Sequence, residues 1–130
     1  MLDESCTIPA YLLGRLMAVL EQAQAKAIPG ANATVVDRAY GAASATPATV
    51  MPRLLRGVRH HLSKVKSDAP GLAVTYERLL DEISAKFVDP ATAFPASLSL
   101  HEQGLFAIGY YQQRAELFRP RDSKTSGSAA

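Results

Sequence analysis

The stretch Arg53-Leu54-Leu55-Arg56-Gly57-Val58-Arg59-His60-His61-Leu62-Ser63-Lys64-Val65-Lys66 decides the fold class. Its apolar residues Leu54, Leu55, Val58, Leu62 and Val65 recur at about 100° per residue, and Arg53, Arg56, His60 and Lys64 fall on the opposite side. The period-two alternation of a half-buried strand is missing. The segment reads as an amphipathic helix with a basic outer stripe. Thr46-Pro47 supplies a cap residue followed by a proline suited to the first turn, so the helix is expected over Ala48 to Lys66. Pro52 lies inside it and is expected either to kink the helix or to delay its regular start.

Upstream, Pro9 opens a helical segment in which Leu12, Leu13, Leu16, Val19, Leu20, Ala23 and Ala27 share one face, and Pro29-Gly30 ends it. Asn32 is a candidate cap for a short second helix around residues 33–43, apolar at Val35, Val36, Ala39 and Tyr40 and weakened by the Gly41–Ser44 stretch. Downstream, Pro70-Gly71 breaks the chain, after which Leu72, Tyr76, Leu79, Leu80, Ile83 and Phe87 define a fourth helix with a mainly acidic outer face. Residues 89–98, with Pro90 and Pro95, read as a loop. Ser99-Leu100-His101-Glu102 then has the form of a capping box and opens a fifth helix running to about Phe118. One broad face of that helix carries Phe106, Tyr110, Tyr111 and Phe118 with Leu100, Ala107, Ile108 and Leu117, a face for a core or a subunit contact. Gly104 and Gly109 each cost about 1 kcal/mol relative to Ala, which close approach of a neighbouring helix or chain would offset. Beyond Pro120 the chain has almost nothing to bury. The expectation is an all-α, compact bundle of about five helices, a single domain over residues 1–118 with a flexible tail over 119–130.

At 130 residues the chain is one domain long, and a domain of this size buries roughly 65–70% of its unfolded surface. The apolar share of 48% and charged share of 20% lie far from the signature of disorder. No apolar run approaches the roughly 18 residues of a membrane helix, and Met1-Leu2-Asp3-Glu4 is acidic where a secretory signal is basic. A cytoplasmic location without membrane contact is therefore expected. Cys6, the single cysteine, allows neither an internal disulfide nor a thiolate-rich zinc site. Asn32-Ala33-Thr34 matches a glycosylation sequon, read as coincidence in a chain without a secretion signal.

The sequence has no Gly-x-Ser-x-Gly elbow and no glycine loop for phosphate. His60 and His61 are adjacent, about 100° apart on a helix, and cannot share a metal as an i, i+4 pair would. Glu77 and Asp81 have the spacing of paired carboxylates, but without apolar surroundings to shift a pKa they read as a solvated face. No catalytic residue, metal or cofactor is expected. The net charge of +2 is unevenly spread. Residues 31–70 hold Arg38, Arg53, Arg56, Arg59, Lys64 and Lys66 against Asp37 and Asp68, whereas residues 71–100 hold Glu77, Asp81, Glu82 and Asp89 against Arg78 and Lys86. From Arg53 to Lys64 the stripe spans roughly 16 Å, enough to follow several phosphates. Its arginines suit bidentate phosphate binding and Lys64 acts as a point charge, while Arg59 and Lys66 flank and widen the surface. Arg53, Arg56, Arg59, His60, Lys64 and Lys66 are thus the candidate nucleic-acid-binding residues. A solvated or partner-facing surface would have the same pattern, and charge and helical phase leave both readings open.

Three stretches carry a family likeness: Ala10-Tyr11-Leu12-Leu13-Gly14-Arg15-Leu16, Ala43-Ser44-Ala45-Thr46-Pro47, and Leu98-Ser99-Leu100-His101-Glu102-Gln103-Gly104-Leu105-Phe106-Ala107-Ile108-Gly109-Tyr110-Tyr111. They resemble the C-terminal region of the large subunit of the type I-C CRISPR Cascade, over approximately residues 6–118. The resemblance implies that Met1 is an internal translation start and that the product is a separate small subunit. It also implies the partners: the backbone and large subunits, a neighbouring small subunit, and opened target DNA, the displaced strand foremost, with guide RNA a further candidate. In RNA-guided complexes base pairing reads sequence while protein grips backbone and displaced strand. The rival expectation is a spacer that bridges backbone and large subunits without touching DNA.

Overall fold

The computed structural model describes residues 1–30, 35–87 and 94–119. Helices α1 (Pro9–Ala27), α2 (Val35–Ala45), α3 (Pro47–Asp68), α4 (Pro70–Ala85) and α5 (Leu100–Leu117) make up the fold. Among the described residues there is no strand, and the chain is an all-α bundle as its periodicity requires. The Asn32 cap, Asp89 and Pro90 of the loop, and the tail beyond Arg119 lie outside the described residues.

The sequence shows α1 as a helix with one apolar face, but the structure buries it almost all round. Ala10, Tyr11, Arg15, Ala18 and Gln22 are buried along with Leu12, Leu13, Leu16 and Val19, because α1 packs against each of the other helices. A helix in this position needs an apolar circumference rather than a stripe. Leu12, Leu13 and Leu16 are each 0% exposed, a burial worth about 1.5–3 kcal/mol per side chain.

α1 crosses α5 at two glycines. A Cβ at Gly14 would overlap the carbonyl oxygen of Phe106, and a Cβ at Gly109 would overlap that of Tyr11. The backbones therefore touch where neither helix has a side chain. A Cβ at Gly104 would meet nothing, so of the two α5 glycines only Gly109 serves this close approach.

Around this crossing the other helices are set by how their ends are satisfied. α2 runs unbroken through Gly41–Ser44 to Ala45, where the sequence suggests weakness. Ala39, Ala43 and Ser44 are buried, and that packing outweighs low local propensity. α3 begins at Pro47 and continues past Pro52 without a delayed start. Thr46 occupies its cap position but makes no side-chain cap bond; its Oγ1 instead donates to the carbonyl of Ala42 at 3.1 Å and closes α2. The segment before α5 completes the junction. Ala48 N–H donates to Pro95 O at 3.0 Å, and Leu98 N–H donates to Ala45 O at 3.0 Å, so one orphan donor of α3 and one orphan acceptor of α2 are satisfied by the same strap. Pro70 does more than break the chain, since it forms the first turn of α4. At α5 the capping box is complete: Glu102 N–H donates to Ser99 Oγ at 3.2 Å and Ser99 N–H donates to Glu102 Oε1 at 2.8 Å.

Candidate functional site

α3 turns Val58 and Val65 into the core and leaves Leu54, Leu55 and Leu62 half-buried against it. Arg53, Arg56, Arg59, His60, Lys64 and Lys66 are all exposed, as helical phase requires. The structure nevertheless divides the six. Arg53, Arg56, His60 and Lys64 occupy the outward side. Arg59 and Lys66 border a groove of about 760 Å³ between α3 and α4, whose other wall carries Glu77 and Asp81. These two cations share that groove with carboxylates while remaining exposed beside the stripe. Among the described residues the ion pairs are Arg78–Glu82, Arg114–Glu21 and Arg119–Glu116, so none of the six is neutralised by a direct pair.

Arg53 also borders a cleft of about 270 Å³ between α1, α2 and α3. Exposed Arg38 and half-buried His61 stand with it at the rim, and Leu20, Leu54 and Val58 form the floor. Burial holds the His61 imidazole below its ordinary pKa, and His60 adds in the same direction, so the ring is neutral at physiological pH. Sequence reasoning on α3 alone missed this grouping. His61 lies off the basic stripe by phase, and Arg38 belongs to another helix; only packing brings them together.

The broad aromatic face of α5 separates into two. Phe106 and Tyr110 are core residues, and Tyr40 meets both edge-on, with ring centroids 5.2 and 5.3 Å apart. Tyr110 donates its hydroxyl to Glu21 Oε1 at 2.7 Å; burial first, and this bond second, raise its pKa. By contrast Leu100 is 86% exposed, Tyr111 62%, Phe118 56% and Ile108 47%. With exposed Gly104 and Ala115 between them, they follow one side of α5 for roughly 27 Å. α3 and α5 are not backbone neighbours in the bundle, and α1 packs against both. Among the described residues no group of three His, Cys, Asp or Glu is placed to hold a metal, and no helix is long and apolar enough to cross a membrane.

These features define an all-helical bundle with an exposed basic face on one helix and an exposed apolar face on another. Residues 1–118 match the family described as CRISPR-associated protein (Cas_Csd1), and the chain belongs to that family. A search of the curated proteins finds no match.

Proposed function

We propose that this chain is the non-catalytic small subunit of a type I-C RNA-guided surveillance complex, and that it binds nucleic-acid backbone without regard to sequence and stabilises the R-loop. The observation that carries this reading is the outward face of α3. Arg53, Arg56, His60 and Lys64 are exposed there, without ion pairs among the described residues, along a helical edge of roughly 16 Å. Such a row grips phosphates at their own spacing and carries no base information. In a CRISPR-associated complex its natural occupant is the displaced strand, with heteroduplex or guide RNA as alternatives.

The exposed side of α5 supports a second role in the same subunit. Leu100, Ile108, Tyr111 and Phe118 form an apolar surface that suits docking on the backbone or large subunits or a neighbouring small subunit. Because the two faces lie on different helices that are not backbone neighbours, one copy can hold protein and nucleic acid at once. The work is done in the cytoplasm and requires no cofactor.

Replacing Arg53, Arg56 and Lys64 together by Gln tests the reading. The variant should keep its helicity and weaken R-loop formation to a similar degree on every target sequence. For single-stranded DNA each lost phosphate contact should flatten the slope of log affinity against log salt by about 0.7. Charge reversal at Glu77 and Asp81 is the control and should not weaken binding. An unchanged salt slope, with target opening intact in the triple variant, would leave only the spacer role.

A further inference from the structure

The cleft between α1, α2 and α3 differs in its lining from the grooves between α3 and α4 and between α1 and α4. Glu77 and Asp81 line the α3–α4 groove, and Glu4 and Glu82 line the cleft where α1 meets α4. Among the residues whose side chains the structure describes, no carboxylate lines the α1–α2–α3 cleft. Two arginines from different helices, Arg38 and Arg53, stand at its rim above an aliphatic floor. This combination suits a ligand with a flat apolar body and negative charge on either side.

We infer that this cleft receives an unstacked base of the strand gripped by α3, with Arg38 and Arg53 holding the flanking phosphates and Leu20, Leu54 and Val58 covering the ring. The inference rests on the nucleic-acid reading above and adds the substrate class: single-stranded rather than paired. A cavity of about 270 Å³ admits one ring system and excludes a duplex. Gly57 opens room for it, since a Cβ there would meet no atom and a ring can lie close to the helix backbone. Extruding a base costs a few kcal/mol from a duplex and least from a strand already single, which directs the cleft toward a displaced strand. His61, being neutral, offers one ring N–H donor and one ring nitrogen acceptor, so it can meet the edge of any base without selecting among them. Arg53 links the cleft to the outward face, so a strand lying along α3 passes its mouth.

The test uses the 130-residue chain and short single-stranded oligomers. Gly57→Leu plugs the cleft while leaving every cation in place, and it strengthens the helix rather than straining it. An oligomer of 2-aminopurine should brighten several-fold on binding the native chain, as bases leave their stack, and should not brighten with Gly57→Leu. A fully abasic oligomer of the same length should bind the native chain roughly fivefold to tenfold more weakly than the base-bearing one, a difference of about 1–1.4 kcal/mol. For Gly57→Leu the two oligomers should bind alike. Arg38→Gln should flatten the salt slope by about 0.7 in the native background. If base-bearing and abasic oligomers bind the native chain equally, with the expected salt slope and no brightening, the phosphate-binding face stands and the cleft is refuted. Unaltered brightening with Gly57→Leu refutes it as well. Failure of every oligomer to bind would overturn the nucleic-acid reading and the cleft together.

Discussion

Arg15 is 1% exposed, and in the sequence nothing separates it from the surface arginines. Its Nε donates to Gln113 Oε1 at 2.8 Å, and one terminal nitrogen of the guanidinium is buried without a hydrogen-bond partner among the described residues. Burial lowers its pKa; the nearby Tyr11, Glu4 and Glu82 act in the opposite direction. A buried charge with incomplete pairing stabilises little, because desolvation offsets most of the attraction. Arg15→Met, which keeps volume and removes the charge, should therefore cost under about 1.5 kcal/mol. Arg15→Ala should cost about 2–4 kcal/mol, since it opens a cavity and strands Gln113. Urea unfolding of the two variants distinguishes them, and equal losses would show that the charge itself holds the bundle. The surface residues were more legible. The exposure of Arg53, Arg56, His60 and Lys64 follows from phase on one helix. The acidic wall facing Arg59 and Lys66, and the pairing of Arg38 with Arg53 across a cleft, depend on how separate helices meet.

Helix ends and periods are short-range properties, and most of them could be read directly. Ser99 and Glu102 are three residues apart and form the capping box their spacing announces, and Pro9 starts α1 as a first-turn proline should. Thr46 was misleading because its hydroxyl had two possible customers, and the Ala42 carbonyl took it. The glycines of α5 show where local reading stops. Gly104 and Gly109 look alike in sequence, yet Tyr11 on α1 lies against one of them and nothing lies against the other. Gly109→Ala and Gly14→Ala should each destabilise by about 1–3 kcal/mol through overpacking against backbone that cannot yield. Gly104→Ala should stabilise by about 0.4–1 kcal/mol through reduced entropy of the unfolded chain. Thermal melts of the three variants, monitored by helical circular dichroism, should move in these opposite directions. A neutral Gly14→Ala would mean that α1 and α5 have freedom to separate.

For the molecule as a whole, the two exposed faces predict separable defects. Tyr111→Glu with Ile108→Glu changes residues that are about half solvated in the free chain and removes the edge-on contact of Tyr111 with Tyr110, so stability should fall by about 0.5–1.5 kcal/mol while the fold is kept. The variant should nonetheless fail to co-purify with its complex, while still binding single-stranded DNA with an unchanged salt slope. Substitution of Arg53, Arg56 and Lys64 should give the reverse pattern. If the α5 variant assembles normally, the apolar side of that helix is not a docking surface. The number and order of helices were legible because each has its own apolar period. The burial of α1 on every side, and the division of the α5 aromatics between core and surface, were not, since both are set by neighbours distant in the chain.

The pairing of α1 with α5 also has a consequence for biosynthesis. α1 ends at Ala27 and α5 begins at Leu100, so a ribosome adding roughly 5–20 residues per second needs on the order of 4–15 s to make the intervening chain. During that interval Tyr11, Gly14 and the leucines around them lack the helix that covers them. α1 thus emerges well before the helix that closes over it, and its apolar contacts with α5 form only once synthesis has reached the fifth helix.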